Sequence, residues 1–314
     1  MELRHLRYFL AVAEELHFAR AAERLHIEQS PLSRAIRELE EELGVQLFVR
    51  TTRSTRITRA GKLFMEHVPR VFAAMQQARD SVKAAANGYH GQLRIALSDG
   101  ITPSRLPVLL ARCREEDPEV DIRLFEVPLA KQIKGLHDDL YDVGFSMANE
   151  VGDGIIAESV WDDPLMVAVP ERHPLLAFKR VPLEEVLRYP LVLCDPEMCE
   201  GHARQIDRVL RRMEQEPLIT QHAATFDLMM AVVSSGLALG LAGAAHIASS
   251  RERGVVARPL EGRAPMLTTY MLRPSTAPSQ ALARFIERVA AIESHEGDKS
   301  SESVPPNSQE ETEL

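Results

Sequence analysis

At 314 residues the chain has room for two or three domains, and its 45 % hydrophobic content lets each of them build a core. No uninterrupted apolar run reaches the roughly 18 residues of a membrane span, and the opening MELRHLRYFLAVAEELHF holds acids and no small-residue cleavage site, so neither a spanning helix nor a secretory leader is expected. The net charge of −9 argues against a nucleic-acid binder until it is divided: residues 1–90 carry 14 Lys and Arg against 11 Asp and Glu, net +3, and the remainder 23 against 35, net −12. Three cysteines, Cys113, Cys194 and Cys199, are odd in number and lack zinc spacing, which suits a reducing cytoplasm and structural roles.

In chain order, Leu3, Leu6, Phe9, Leu10 and Ala13 have helical spacing and predict an opening helix. A second helix follows over about Phe18 to Leu25, with Ala21, Ala22 and Leu25 at packing positions, then a short turn, His26 to Gln29. Ser30 followed by Pro31 reads as an N-cap and first helical residue. Beyond it Leu32, Ile36, Leu39 and Leu43 fall on one face of a third helix, while Ser30, Ser33, Arg34 and Arg37 fall on the other. Hydroxyls and guanidiniums on one helix face are the groups that bond phosphates and base edges. The acid-free run Val45 to Lys62 then carries Arg50, Arg53, Arg56, Arg59 and Lys62, with strand-forming residues on either side of a turn near Thr52 to Ser54. That is a basic wing suited to a phosphate backbone or a minor groove.

The ordered run AAERLHIEQSPLSRAIRELEEELGVQLFVRTTRSTRITRAG resembles the winged helix-turn-helix of LysR-type transcriptional regulators. It has paired alanines, a Gln-Ser-Pro turn, Leu-Ser, Leu-Glu, Leu-Gly, Leu-Phe-x-Arg and Thr-x-Ala-Gly. Glu28 departs from the serine many members carry there. The resemblance implies that the third helix reads double-stranded operator DNA through Gln29, Ser30, Pro31, Ser33, Arg34 and Arg37, with Arg50, Arg53 and Arg56 on the backbone. It further implies a dimer, with a tetramer built from two dimers, and RNA polymerase as a downstream partner.

Thr58 is positioned to cap a long helix running to Ala86. Phe64, Val68, Val71, Met75, Ala78 and Val82 repeat at heptad spacing, the mark of helix pairing, and the resemblance assigns this helix to dimerisation. Pro69 should kink it or cost stability, and Asn87-Gly88 should end it.

Residues 91–293 alternate strand and helix signals, implying a parallel sheet with helices on both faces. Two such halves with a double crossover make a periplasmic-binding-protein-like α/β domain with a ligand cleft between them. The whole is therefore expected to be an α+β multi-domain chain: 1–58 winged helix-turn-helix, 59–90 linker helix, 91–293 effector domain and 294–314 disordered tail. The effector domain is expected as subdomain I, 91–161 with 267–293, and subdomain II, 162–266. The tail has six acids against one lysine from Glu296 onward, and no aromatics.

Ligands in open α/β sheets sit beyond the carboxyl ends of strands. Those ends offer Ser98, Asp99, Gly100, Thr102, Leu129, Phe145, Asp195, Thr225 and Phe226 as effector-binding residues. Asp99 and Asp195 carry an alternative reading as caps of helices or turns. If they face inward they disfavour an acidic ligand, and a small effector that is not a dicarboxylate is expected. No Gly-x-Ser-x-Gly elbow and no paired histidine spacing occurs, so neither an enzyme nor a metal or cofactor site is expected. A solute-binding or transport protein using the C-terminal domain alone is the competing reading; the basic wing opposes it.

Overall fold

The structure is a computed structural model and describes residues 1–50, 54–86, 91–100 and 105–301. Two compact units emerge: Met1–Asp80 with Asp138–Leu140, and Ser81–His137 with Tyr141 onward.

In the first unit, α1 (Leu3–Glu15), α2 (Phe18–Arg24) and α3 (Gln29–Leu43) bury the apolar faces their spacing defines. Leu6, Phe9 and Val12 meet Phe18, Ala21 and Ala22 and the fully buried Leu32, Ile36 and Leu39. The paired alanines let α2 lie close against its neighbours. Two details differ from expectation. α3 begins two residues early: Glu28 holds the N-cap position without a side-chain bond, and Ser30 and Pro31 lie inside the first turn. A proline is tolerated there because the first four N–H groups of a helix have no acceptor within it. Leu43, expected in the core, is 37 % exposed at the end of α3. Gly44 closes the helix in the left-handed region at φ +68°, and the Val45 N–H bonds back to the Glu40 carbonyl.

The wing is a two-strand ribbon, β1 (Phe48–Arg50) and β2 (Thr55–Ile57), antiparallel with Val49 opposite Arg56. Thr51, Thr52 and Arg53 lie outside the described residues, as do Asn87 and Gly88. α4 (Arg59–Ala86) starts as expected, with the Gly61 N–H donating to Thr58 Oγ1 at 2.9 Å, and continues through Pro69. The expected pairing seam needs correction at its start. Val68 is 1 % exposed in the core of its own unit, and Phe64 packs edge-on against Phe9 at 4.9 Å. These two side chains are consumed by their own domain, because the helix emerges from it before it is free. Val71 and Val82 are 43 % and 70 % exposed.

In the second unit, β3 (Gly91–Leu97) lies between β4 (Val120–Glu126) and β5 (Val143–Ser146), all parallel, with α5 (Arg105–Glu116) and α6 (Leu129–His137) as crossovers. A second parallel set is β7 (Leu191–Cys194), β8 (Ile219–Ala223) and β9 (Leu239–Gly243), linked by α8 (Glu200–Leu210) and α9 (Phe226–Ser234); a short α7 (Leu183–Val186) precedes it. One 16-residue strand, β6 (Ile155–Pro170), runs through both halves. Its first half pairs with β11 (Met266–Pro274), its second with β9 and β10 (Val255–Pro259), all antiparallel. Pro164, which lacks the ladder N–H, sits where the partners change. The sheet is therefore mixed: the parallel reading holds inside each βαβ half, and the antiparallel crossover strands join the halves.

A short α10 (Ala244–Ser249), too brief to show periodicity, follows β9. Along β6, Val167 and Val169 enter one core and Ala168 the other, so this part of the sheet is buried on both faces. α11 (Gln280–Ser301) runs past the expected helix end and takes up the beginning of the stretch read as tail. No proline interrupts the sequence there until Pro305.

Candidate functional site

The exposed face of α3 carries Gln29, Ser30, Pro31, Arg34 and Arg37. Ser33 is half-buried, for a reason the wheel could not show. Its Oγ accepts from Arg50 Nη1 at 2.8 Å, and the Arg50 guanidinium lies 4.4 Å from the centre of the Phe18 ring and 3.4 Å from Glu40 Oε2. Burial pulls the Arg50 pKa below its ordinary value, against the opposing charge of Glu40. The other oxygen of Glu40 accepts the N–H groups of Leu47 at 2.8 Å and Phe48 at 3.0 Å. Glu40 and Arg50 thus join the reader helix to the wing, and Arg56, exposed on β2, remains free to face outward. Glu40 was missed because in the sequence it is one of three consecutive glutamates, Glu40 to Glu42.

In the second unit, the structure brings together Ser98, Asp99, Gly100 and Phe226 from the expected effector set, with Ser146, Gly201, His202 and His246 added. Asp99 and Gly100 are consecutive left-handed residues, φ +61° and +57°, and this bend turns the Asp99 carboxylate inward to 2 % exposure. Its Oδ2 accepts from Ser146 Oγ at 2.6 Å and the Met147 N–H at 3.0 Å, and lies 3.1 Å from Ser98 Oγ. Its Oδ1 accepts from the Gly201 N–H, in the first turn of α8, at 2.7 Å. Beside it Gln132, fully buried, donates to the Ala96 and Phe145 carbonyls at 2.8 and 2.9 Å and lies 3.0 Å from Ser98 Oγ.

The Gly100 carbonyl accepts from His246 Nε2, so that nitrogen carries a proton. His246 stacks on Phe226 at 4.2 Å, and Phe226 meets His202 edge-on at 4.9 Å. His202 is wholly buried with no partner for either ring nitrogen among the described residues, and burial pushes its pKa down to about 3. Burial likewise lowers His246. The signal for Gly201 was present in the sequence: a glycine opening a helix often marks a close approach. A single histidine on a helix gives no such signal.

Three of the remaining expectations, Leu129, Phe145 and Thr225, resolve differently, and Asp195 takes its alternative reading as a cap. Leu129 and Phe145 are core residues: Leu129 packs on Leu136 and Ile155, and Phe145 stacks on Trp161 at 4.9 Å. Both lie at strand or helix ends, but their side chains are packed into cores. Asp195 is a turn cap, accepting the Glu197 N–H at 2.8 Å. Thr225 caps α9, its Oγ1 accepting from the Leu228 N–H at 3.2 Å. Thr102 lies outside the described residues. All three cysteines are free and buried, and Cys194, hydrogen-bonded to Cys199 and buried, has its thiol pKa pushed up. A groove of about 830 Å³ between α8 and β8, lined by Leu193, Ile206, Leu210 and Ile219, shares His202 with the cleft cluster. Among the described residues no group of three or more acids, histidines or cysteines could hold a metal, and no helix is long and apolar enough to cross a membrane.

A helix-turn-helix with a basic wing, joined by a long helix to a two-halved α/β domain, defines a ligand-responsive transcriptional regulator. Residues 3–62 match the bacterial regulatory helix-turn-helix protein family, lysR type, and residues 86–292 the LysR substrate binding domain. The chain belongs to the LysR family. It is 34 % identical to the uncharacterised regulator YnfL of Escherichia coli over 77 % of this chain and 82 % of that one. It is 32 % identical to AlsR of Bacillus subtilis over 76 % and 79 %. Among solved structures, full-length CbnR complexed with its target DNA superposes with a TM-score of 0.70 at 28 % identity, over 93 % of this chain and 99 % of that one.

Proposed function

We propose that this regulator reads its operator through Gln29, Ser30, Pro31, Arg34 and Arg37 on α3, while Arg53 and Arg56 of the wing contact phosphates. Arg50 and Ser33 hold reader and wing together and act on DNA through that geometry. The chain works in the cytoplasm as a dimer through the exposed part of α4, at Val71, Met75 and Val82, with a tetramer as a dimer of dimers. A small effector in the cleft around Gly100, Phe226 and His246 shifts the hinge population, which repositions paired readers and changes the encounter with RNA polymerase.

One observation carries the reading. The helix that seals the N-terminal core with Leu32, Ile36 and Leu39 leaves Arg34 and Arg37 exposed beside a ribbon carrying Arg56. The similarity to a regulator solved on its target DNA supports the same use here. Arg34→Ala should weaken operator binding by about 1–3 kcal/mol if the guanidinium is bidentate to a guanine, and weaken binding to random DNA far less. Titration of both DNAs at one salt concentration measures this; equal losses on both would make Arg34 a phosphate contact.

A further inference from the structure

We propose that Asp99 is an intramolecular ligand: it fills the anion seat of the cleft with the chain's own carboxylate and latches the two halves of the effector domain together. The effector is therefore recognised without an acidic group. The inference rests on the reading of this cleft as the effector site.

The seat has the makings of a carboxylate receptor. Ser146 Oγ accepts from the Ala148 N–H at 3.0 Å, so its one proton is free to go to Asp99. Met147 supplies a backbone N–H from the end of β5, and Gly201 supplies another from the first turn of α8. Both amide protons of Gln132 are spent on carbonyls, so its oxygen competes with Asp99 for the single proton of Ser98. Asp99 keeps three firm donors in either case. A carboxyl group at 2 % exposure needs such partners, and the positive end of an 11-residue helix adds to them.

The donors come from both halves. Asp99 follows β3, and Ser146 and Met147 stand at the end of β5, in the first sheet set; Gly201 lies in the first turn of α8 of the second. The fit leaves no slack: a Cβ on Gly201 would stand 2.6 Å from Asp99 Oδ2 and 2.5 Å from the Ala148 nitrogen. One on Gly100 would stand 2.6 Å from the Phe226 ring. A dissolved acid seeking this seat competes with a carboxylate already tethered beside it, at the high effective concentration that tethering gives. Beside the seat, Gly100, Phe226 and His246 form an aromatic cluster that contains no acid, which suits an uncharged or cationic molecule.

The test removes the tethered acid and offers a free one. Asp99→Gly keeps the left-handed backbone without strain and empties the seat. In the full-length variant, formate at constant ionic strength, with chloride as the balancing salt, should raise the melting midpoint by about 3 °C when present at about tenfold its Kd. The wild-type midpoint should not respond. An equal response of the two proteins overturns the proposal. Should Asp99→Gly fold only with formate present, that dependence supports it. Asp99→Asn supplies a second measurement: it keeps the shape but loses the charge. Exchange of the Met147 and Gly201 amide protons should accelerate at least about tenfold, as for a loosened contact. Unchanged protection of both amides overturns the latch. Neither readout involves DNA, so a failure of operator binding would count against the preceding reading and leave this one standing.

Discussion

Arginines that look alike in the sequence part company at the level of single side chains. Arg34 and Arg37 are exposed on α3, whereas Arg50, from the same basic run as Arg56, is held between Phe18, Ser33 and Glu40. Glu40 is the key to that arrangement, because its carboxylate accepts two backbone N–H groups of the wing as well as facing Arg50. Glu40→Ala should strand those N–H groups and cost about 1–3 kcal/mol of stability. It should also weaken operator binding although Glu40 touches no phosphate; denaturation and DNA titration of the same preparation check both. His202 makes a separate prediction. Its folded pKa, near 3, lies below the unfolded value of 6.5, so the unfolded chain binds the extra proton. Stability from this residue is present above pH 6.5 and is lost as pH falls toward 3, by about 2 kcal/mol between pH 7 and pH 5. His202→Leu should remove that part of the slope, which melting curves across the range would reveal.

At the level of elements, spacing announced most of what formed. The three helices of the reader domain, the Thr58 cap and the βαβ strands follow from apolar period and turn chemistry, because each element buries a face its own sequence defines. What stayed hidden depends on partners distant in sequence. Pro164 lies where β6 exchanges β11 for β9, a change of partner that local spacing does not show. Phe145 and Leu129 stand at strand and helix ends, as site residues do, but fill cores. Ser98, Asp99 and Gly100 were legible as a loop; that the acid crosses to Gly201, 102 residues away, was not. α4 shows the same limit, since its heptad pattern does not end up on one surface. Phe64 and Val68 complete the reader core, so the pairing seam proposed above is left with Val71, Met75 and Val82. Replacing Val71 and Met75 with Asp places unpaired charge in that seam, and sedimentation should show monomers with an intact melting transition. A dimer that survives the double change would move the interface off α4.

Taken as a whole, the molecule is acidic and yet built to hold a polyanion, and its salt dependence distinguishes local contacts from net charge. The excess of acids lies beyond residue 90, at −12, while the first 90 residues are +3. If net charge governed association, the −9 chain would be repelled and added salt would strengthen binding by screening. If phosphate contacts govern, salt must weaken binding, because each neutralised phosphate releases condensed counterion, with a slope of about −0.9 per contact. Affinity for operator and for random DNA, followed from about 50 to 200 mM salt, should therefore fall in both cases. Arg56, exposed on β2 opposite Val49, is the cleanest side chain to remove. Arg56→Gln should flatten both slopes by about one and weaken both DNAs alike, since a phosphate carries no sequence. Arg50→Gln should behave differently: it frees Ser33 and leaves Glu40 without its cation, so operator binding falls together with the melting midpoint. A slope unchanged by Arg56→Gln, with the loss confined to one base pair of the operator, would make this arginine a reader of sequence and turn the wing into a second recognition element.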